Sequence, residues 1–193
     1  EAYVSRRGSL YAPLSIPNFQ FPTVFGNDRV DAVLRLMPDE CEKIVDLGAH
    51  WGEVSQLIAA SGRSVLAFEK DTEYLRVLRL HREYSARSFE IADRDFLDER
   101  PLVADGVIAF NIFHHFLKSE EIFVRFSEWL GNLQCSFLAV QLHSPSETQM
   151  QGAYRNYDDS QFVSFLSEKT GLAEAVDVGI FDGRPVFVLR KPG

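Results

Sequence analysis

Apolar positions along the chain follow two rhythms that alternate. Short continuous apolar runs mark buried strands, and apolar residues recurring at i, i+3 and i+4 mark amphipathic helices. The runs at Lys43–Leu47, Ser64–Phe68, Asp105–Phe110 and Cys135–Leu142 read as strands, with a weaker one at Ser88–Ala92. Helical stretches lie between them. Asn27 to Met37 carries Val30, Val33, Leu34 and Met37 on one face, with Asn27 and Asp28 as candidate caps and Pro38 past its end. Val54, Leu57 and Ile58 form the stripe of the next helix, which Gly62 ends. Thr72 to Tyr84 follows, with Thr72 as its candidate cap. Ser119 starts a helix with Ile122, Phe123, Phe126, Trp129 and Leu130 inward. Asp158 to Lys169 turns Phe162, Phe165 and Leu166 to the core, and Gly171 stops it.

Two strands close the pattern, Val176–Phe181 and Pro185–Leu189, joined by the turn "DGRP" from Asp182 to Pro185. Strands alternating with helices imply an α/β domain with a mostly parallel sheet and helices on both faces. So short a turn cannot make a parallel crossover, so the C-terminal hairpin is antiparallel. The prediction is a seven-stranded sheet within residues 27–193, preceded by an arm or lid at residues 1–26. That arm is rich in Pro and aromatic residues, and Pro13, Pro17 and Pro22 forbid a long helix there.

Composition narrows the picture. A chain of 193 residues with 46% hydrophobic residues can bury a core without a disulfide or metal staple. The net charge of −8 argues against a general nucleic-acid binder. Cys41 and Cys135 read as two core thiols, which suits a reducing, cytoplasmic setting. No apolar run reaches the length of a membrane span. The chain begins at Glu1 and stops just after its last strand, compatible with a domain cut from something longer.

The chemistry concentrates after the first strands, where ligands bind in parallel α/β sheets. "VDLGAHWG" (Val45 to Gly52) is a strand, a glycine turn and a helix start. A dinucleotide loop needs glycine at its third position for backbone approach to a pyrophosphate; here that position is His50. Glu69 closes the second strand and can accept hydrogen bonds from a ribose diol, with Lys70 beside it. "DRDF" follows the third strand: Asp95 can take an exocyclic amine and Phe96 can lie against an adenine ring. A donor without phosphate fits such a loop. Asp46 can place an ammonium, and the free N–H groups near Gly52 suit a carboxylate.

These residues resemble the class I S-adenosylmethionine-dependent methyltransferases. "VDLGAHWG" looks like their first motif, "FEKD" (Phe68 to Asp71) like the acidic end of strand two, and "DRDF" like the adenine contact. "IAFNIFHHF" (Ile108 to Phe116) looks like the fourth-strand motif that faces donor and substrate. The resemblance runs over about residues 27 to 190 and implies a Rossmann-like fold. It implies S-adenosyl-L-methionine as cofactor, held by Asp46, Gly48, His50, Gly52, Glu69, Lys70, Asp95, Phe96 and Asn111. Many members have glycine where His50 stands.

In "NIFHHF", His115 or His114 is the candidate general base, with His115 preferred because the residue after the strand bend can point inward. No metal is expected: the acidic pattern of metal-dependent O-methyltransferases is missing around His114, His115 and His143. The family builds its substrate site from the N-terminal arm and the segment after strand five. That implies roles for Arg6, Arg7, His143, Tyr154 and Arg155, with arginines for phosphate or carboxylate and tyrosines for an aromatic wall. The layout from "HHF" to "GRPVFVL" also resembles methyltransferase domains that cap bacterial surface polysaccharides, sometimes fused to a kinase. The expected reaction is methyl transfer to an oxygen, or a nitrogen, of a small-molecule, sugar or sugar-phosphate acceptor. The alternatives are an RNA or protein methyltransferase, and a degenerate donor-binding subunit of a complex. The oligomeric state stays open.

Overall fold

In the computed structural model the described residues are Pro13, Thr23, 26–84 and 88–192. Arg6, Arg7 and most of the expected N-terminal arm lie outside them. The elements run α1 (Asp28–Leu34), β1 (Lys43–Leu47), α2 (Glu53–Ala60), β2 (Ser64–Glu69), α3 (Thr72–Tyr84), β3 (Glu90–Asp93), β4 (Gly106–Phe110), α4 (Glu120–Gly131), β5 (Phe137–Gln141), α5 (Asp159–Thr170), β6 (Glu174–Phe181) and β7 (Arg184–Arg190). Short 3-10 turns occupy Phe96–Asp98, Phe113–Leu117 and Thr148–Met150.

The strands form one seven-stranded sheet in the order β3-β2-β1-β4-β5-β7-β6. The first five are parallel, whereas β7 pairs antiparallel with both β5 and β6. This is the expected Rossmann-like architecture. Side chains alternate across the strands, so the sheet separates two cores. On one face Val45, Leu47, Leu138 and Val140 pack against Phe126, Trp129, Phe162 and Leu166 of α4 and α5. On the other, Ile44, Val65, Phe137 and Ala139 pack against Val30, Ile58, Leu75 and Leu78 of α1, α2 and α3. Cys41 and Cys135 are buried and free.

Four local expectations are corrected. The hairpin turn is the two residues Asp182 and Gly183, both at positive φ (52° and 77°), because Phe181 already pairs with Arg184. That is the backbone an Asp-Gly hairpin demands. Asn27 stands at the N-cap of α1 without capping it; its side chain instead donates to Glu53 Oε1 at 2.9 Å. Asp71, not Thr72, caps α3, its Oδ1 accepting from the N–H groups of Glu73 (2.8 Å) and Tyr74 (3.3 Å). The helix predicted to Met37 ends as α1 at Leu34, and residues 35–37 continue as a turn.

Candidate functional site

The strand order reverses between β1 and β4, and connections leave this point in opposite directions. The C-terminal ends of the strands therefore open a crevice there, as in other open α/β sheets. A cavity of about 380 Å³ occupies it. Gly48 and His50 line it from the loop after β1, Phe68, Glu69 and Lys70 from β2 and its end, Asp95 and Phe96 from the segment after β3, and Asn111 and His115 from the segment after β4. A smaller pocket of about 40 Å³ adjoins the same loop, lined by Arg29, Asp46, Glu53 and, again, Gly48, His50 and Asn111. Of the residues predicted to hold a donor, all but Gly52 thus line one pocket or the other.

The loop after β1 answers the question that His50 raises. His50 has φ 54°, in the left-handed region, so it keeps the backbone conformation that makes glycine common at such positions. Its ring lies tilted against Trp51 (4.6 Å) and Tyr74 (4.2 Å). Burial pulls its pKa down to about 4, against the pull of Asp71, so the ring is neutral at pH 7. Gly52 lines neither pocket. Its N–H bonds the Ala49 carbonyl, and its bare Cα packs under Leu78 and Phe89. Beneath the loop, the fully buried His81 of α3 holds the Trp51 carbonyl at 2.8 Å from its Nδ1.

Glu69 is 8% exposed and does more than wait for a ligand. Its Oε1 accepts from the N–H groups of Lys70 and Asp71, both at 2.8 Å, and its Oε2 from His50 N–H at 2.9 Å. Oε2 keeps the freer lone pair for a hydroxyl. Burial still holds the carboxyl above its ordinary pKa despite these three donors. Asp46, at the end of β1, is fully buried and its Oδ2 accepts from Ser55 Oγ at 2.6 Å. Burial pushes its pKa up to about 6, Ser55 opposes this, and the neighbouring Glu69 charge adds to it. Asp95 caps the turn at Phe96–Asp98 through Leu97 N–H (3.0 Å) and pairs with Lys70 Nζ at 2.9 Å. Phe96 is a core ring, edge-on to Phe116 and Trp129, that shows the cavity one side.

The two histidines of the fourth-strand segment divide. His115 is exposed and lines the cavity; burial of its ring by neighbouring protein, then Lys118, Arg184 and Lys70, lower its pKa. His114 is 5% exposed, does not line the cavity and stacks between His115 (4.1 Å) and His143 (5.9 Å). Burial, reinforced by His115, Arg184 and other cations, takes it down to about 3. His143 is buried too, with its pKa lowered by that burial against Asn156 and Glu147. Tyr154 and Arg155 face α4 rather than the cavity. Tyr154 Oη donates to Glu120 at 3.0 Å, and the Arg155 guanidinium lies 4.7 Å from the Tyr154 ring and 5.6 Å from Phe123. Their backbone N–H groups bond Lys118 and Leu117, which ties this segment to the end of the histidine turn.

Tyr74, Arg94, Arg29 and Arg184 stand at the site in addition to the expected residues. Tyr74 and Arg94 line the cavity, with Arg94 lying 5.4 Å from the Phe68 ring. Arg94 sits inside "DRDF", next to Asp95, so its position is a usable signal. Arg29 is 4% exposed, bonds Gln141 of β5 and lies 5.2 Å from the Phe110 ring. Arg184 reaches the crevice from β7. Nothing in their local sequence marks either one.

No protein-family model matches the sequence, and no curated protein matches it. Solved structures do match the fold. The monomeric form of WbdD, elsewhere described as a bifunctional kinase-methyltransferase, superposes with a TM-score of 0.74 at 18% identity, over 98% of this chain and 48% of that chain. The chain thus spans about half the length of the WbdD structure. Magnesium protoporphyrin IX methyltransferase (ChlM) from Synechocystis PCC 6803, with bound SAM, matches with a TM-score of 0.62 at 15% identity, over 86% of this chain and 79% of that one. The methyltransferase domain of bacterial CtHen1 matches with a TM-score of 0.65 at 13% identity, over 85% and 98%. With its sheet order, its antiparallel last strands and its crevice at the switch point, the chain has the fold of the class I S-adenosylmethionine-dependent methyltransferases.

Proposed function

We propose that the chain binds S-adenosyl-L-methionine in this crevice and transfers its methyl group to an oxygen, or a nitrogen, of a small-molecule, sugar or sugar-phosphate acceptor. The observation that carries the reading is the convergence of Asp46, Glu69 and Asp95 on one crevice at the ends of three neighbouring strands. That array favours a ligand with cationic and hydroxyl groups over a pyrophosphate. Glu69 Oε2 serves a ribose hydroxyl, Asp95 and Phe96 serve an adenine, and Asp46 serves the ammonium of the tail. Bound there, the sulfonium supplies an activated methyl group. The protein's part is alignment and proton removal. WbdD, described as a bifunctional kinase-methyltransferase, matches 98% of this chain, which supports the methyl-transfer part of the reading.

His115 is the general base in this reading. Its lowered pKa leaves it unprotonated at neutral pH, so turnover should already be on its plateau by about pH 7. His115→Ala should lower kcat by roughly 100-fold with little change in donor affinity. His114→Ala should spare the rate per folded molecule and act on stability, since His114 is a buried neutral ring. Folding tolerates such a ring only while it stays neutral, so its contribution is present above about pH 6.5 and lost as pH falls toward 3. Steady-state rates and melting curves across pH separate the two. Equal loss of kcat in both variants would overturn the assignment. Calorimetric titration with S-adenosylmethionine, followed by mass spectrometry of acceptors that gain a methyl group, tests the proposal itself. Binding without turnover would favour the donor-binding subunit instead.

A further inference from the structure

Asn111 carries two uncompensated costs. It is a non-glycine residue at φ 55°, and its Nδ2, sheltered from water, has no hydrogen-bond partner among the described residues. A buried donor left unpaired costs about 1–3 kcal/mol, and left-handed backbone adds to that. The residue is 7% exposed and lines both the larger cavity and the small pocket. It therefore sits at the junction of the nucleoside end, marked by Glu69 and Asp95, and the tail end, marked by Asp46. On the donor reading of this crevice, that junction is beside the reacting atoms.

The amide is not free to turn. Arg184 Nη1 donates to Asn111 Oδ1 at 2.6 Å, and a guanidinium cannot face an NH₂ group. Arg184 is itself held by Glu147, whose Oε2 accepts from Nη2 at 2.5 Å. Glu147 in turn accepts from Ser144 N–H at 2.9 Å and from Gln149. Burial would raise its pKa, but Ser144, Gln149 and Arg184 together hold it below the ordinary value, so the anchor stays ionised. A chain of charge-assisted bonds thus runs from the segment after β5, through the first residue of β7, to the end of β4.

We propose that Arg184 is a positioning residue that fixes the Asn111 amide with its N–H₂ group toward the methyl acceptor, and that this makes the crevice selective for an oxygen nucleophile. This rests on the methyl-transfer reading above. A hydroxyl oxygen has two lone pairs: one can take the Asn111 N–H while the other attacks. A neutral amine has one, which cannot both take that N–H and attack, so an amine aligned for attack leaves the Asn111 N–H₂ group unpaired. As the acceptor oxygen bonds the methyl carbon, the carbon–sulfur bond breaks. Its electron pair stays on sulfur, giving a neutral thioether, and the hydroxyl proton passes to His115.

The test is the side-chain ¹⁵N–¹H₂ resonance of Asn111, assigned by its loss in Asn111→Asp. It is recorded on the protein alone and saturated with S-adenosylhomocysteine, then titrated with phenol and with aniline, two probes of one shape. Phenol is expected to shift the Asn111 pair downfield and aniline to leave it in place. In Arg184→Met the two probes should act alike, and Arg184→Lys should restore the difference, an effect that loss of packing does not produce. An aniline shift as large as that of phenol overturns the proposal, as does a resonance unmoved by phenol. A downfield shift with S-adenosylhomocysteine alone also overturns it, since the partner is then the donor's carboxylate. If phenol shifts the resonance but S-adenosylhomocysteine fails to bind, the donor reading falls and the amide assignment stands.

Discussion

Asp46→Asn is expected to bind S-adenosylhomocysteine roughly 10- to 100-fold more weakly than the wild type near pH 8 and yet to melt at a higher temperature. The two effects share one cause. Asp46 is fully buried, and burial has already moved its pKa up to about 6. Keeping that carboxylate ionised at neutral pH costs on the order of 3 kcal/mol, discounted by whatever the surroundings relax. The sign follows from the raised pKa. The unfolded group ionises near the ordinary aspartate value of 3.8, so stability is greatest below it and declines as pH rises toward about 6. The melting advantage of the asparagine variant should open over that window and hold steady above it. Ligand affinity runs the other way. An ammonium needs the ionised form, so wild-type affinity should climb with pH up to about 6 and level off, with a proton released on binding at pH 5. The variant should show neither slope nor release. Calorimetry in buffers of different ionisation enthalpy measures both, and equal affinity of the two proteins near pH 8 would mean that Asp46 does not face the ligand.

Gly52→Ala should destabilise the fold by roughly 2–4 kcal/mol, a loss of about 5–15 °C in Tm. Gly52 has φ 85°, where an L side chain is strained, and an added Cβ would come within 2.4 Å of Leu78 Cδ1 and 3.0 Å of Phe89 Cζ. Leu78 is completely buried, so its methyl has little room to retreat. The strain would be felt in the loop that carries Gly48 and His50, so donor affinity should fall along with stability. Thermal melts with and without S-adenosylhomocysteine measure both. A melting temperature unchanged by the substitution would show that the turn relaxes more easily than its contacts imply.

The parts of this molecule that were legible in the sequence are those set by local rules. Continuous apolar runs and helical stripes placed every strand and helix, because the central strands are buried on both faces and each helix buries one side against the sheet. Asp182-Gly183 announced its hairpin, because two positive φ values leave few alternatives. Gly48, Glu69, Asp95 and Asn111 could be gathered from sequence because parallel topology brings the C-terminal ends of successive strands to one rim. What escaped notice depends on distance along the chain. Arg184 meets Asn111 across 73 positions, and Arg29 meets Gln141 across 112. No spacing rule connects such pairs. Tyr154 and Arg155 show the converse. Their side chains suited a binding wall, but Phe123 and Glu120 of α4 engage them and neither lines the cavity. The preference for His115 rests on the strand bend; that His115 is exposed while His114 is buried comes from packing, which a sequence of two adjacent histidines does not record.

Glu69 adds a second tie between two segments that the Ala49 N–H to Phe68 carbonyl bond already links. Three backbone N–H groups from two loops, one after β1 and one after β2, end on a single carboxylate. On the proposed reading, the ribose end of the crevice and the loop beneath the methionine tail are therefore held by one side chain. A hydroxyl that takes a share of Oε2 draws on the same electron density that His50 N–H uses. On that reading, occupancy at the sugar would alter the tension on the turn that shapes the other half of the site, and the two halves of one ligand would communicate through a side chain rather than through the ligand itself.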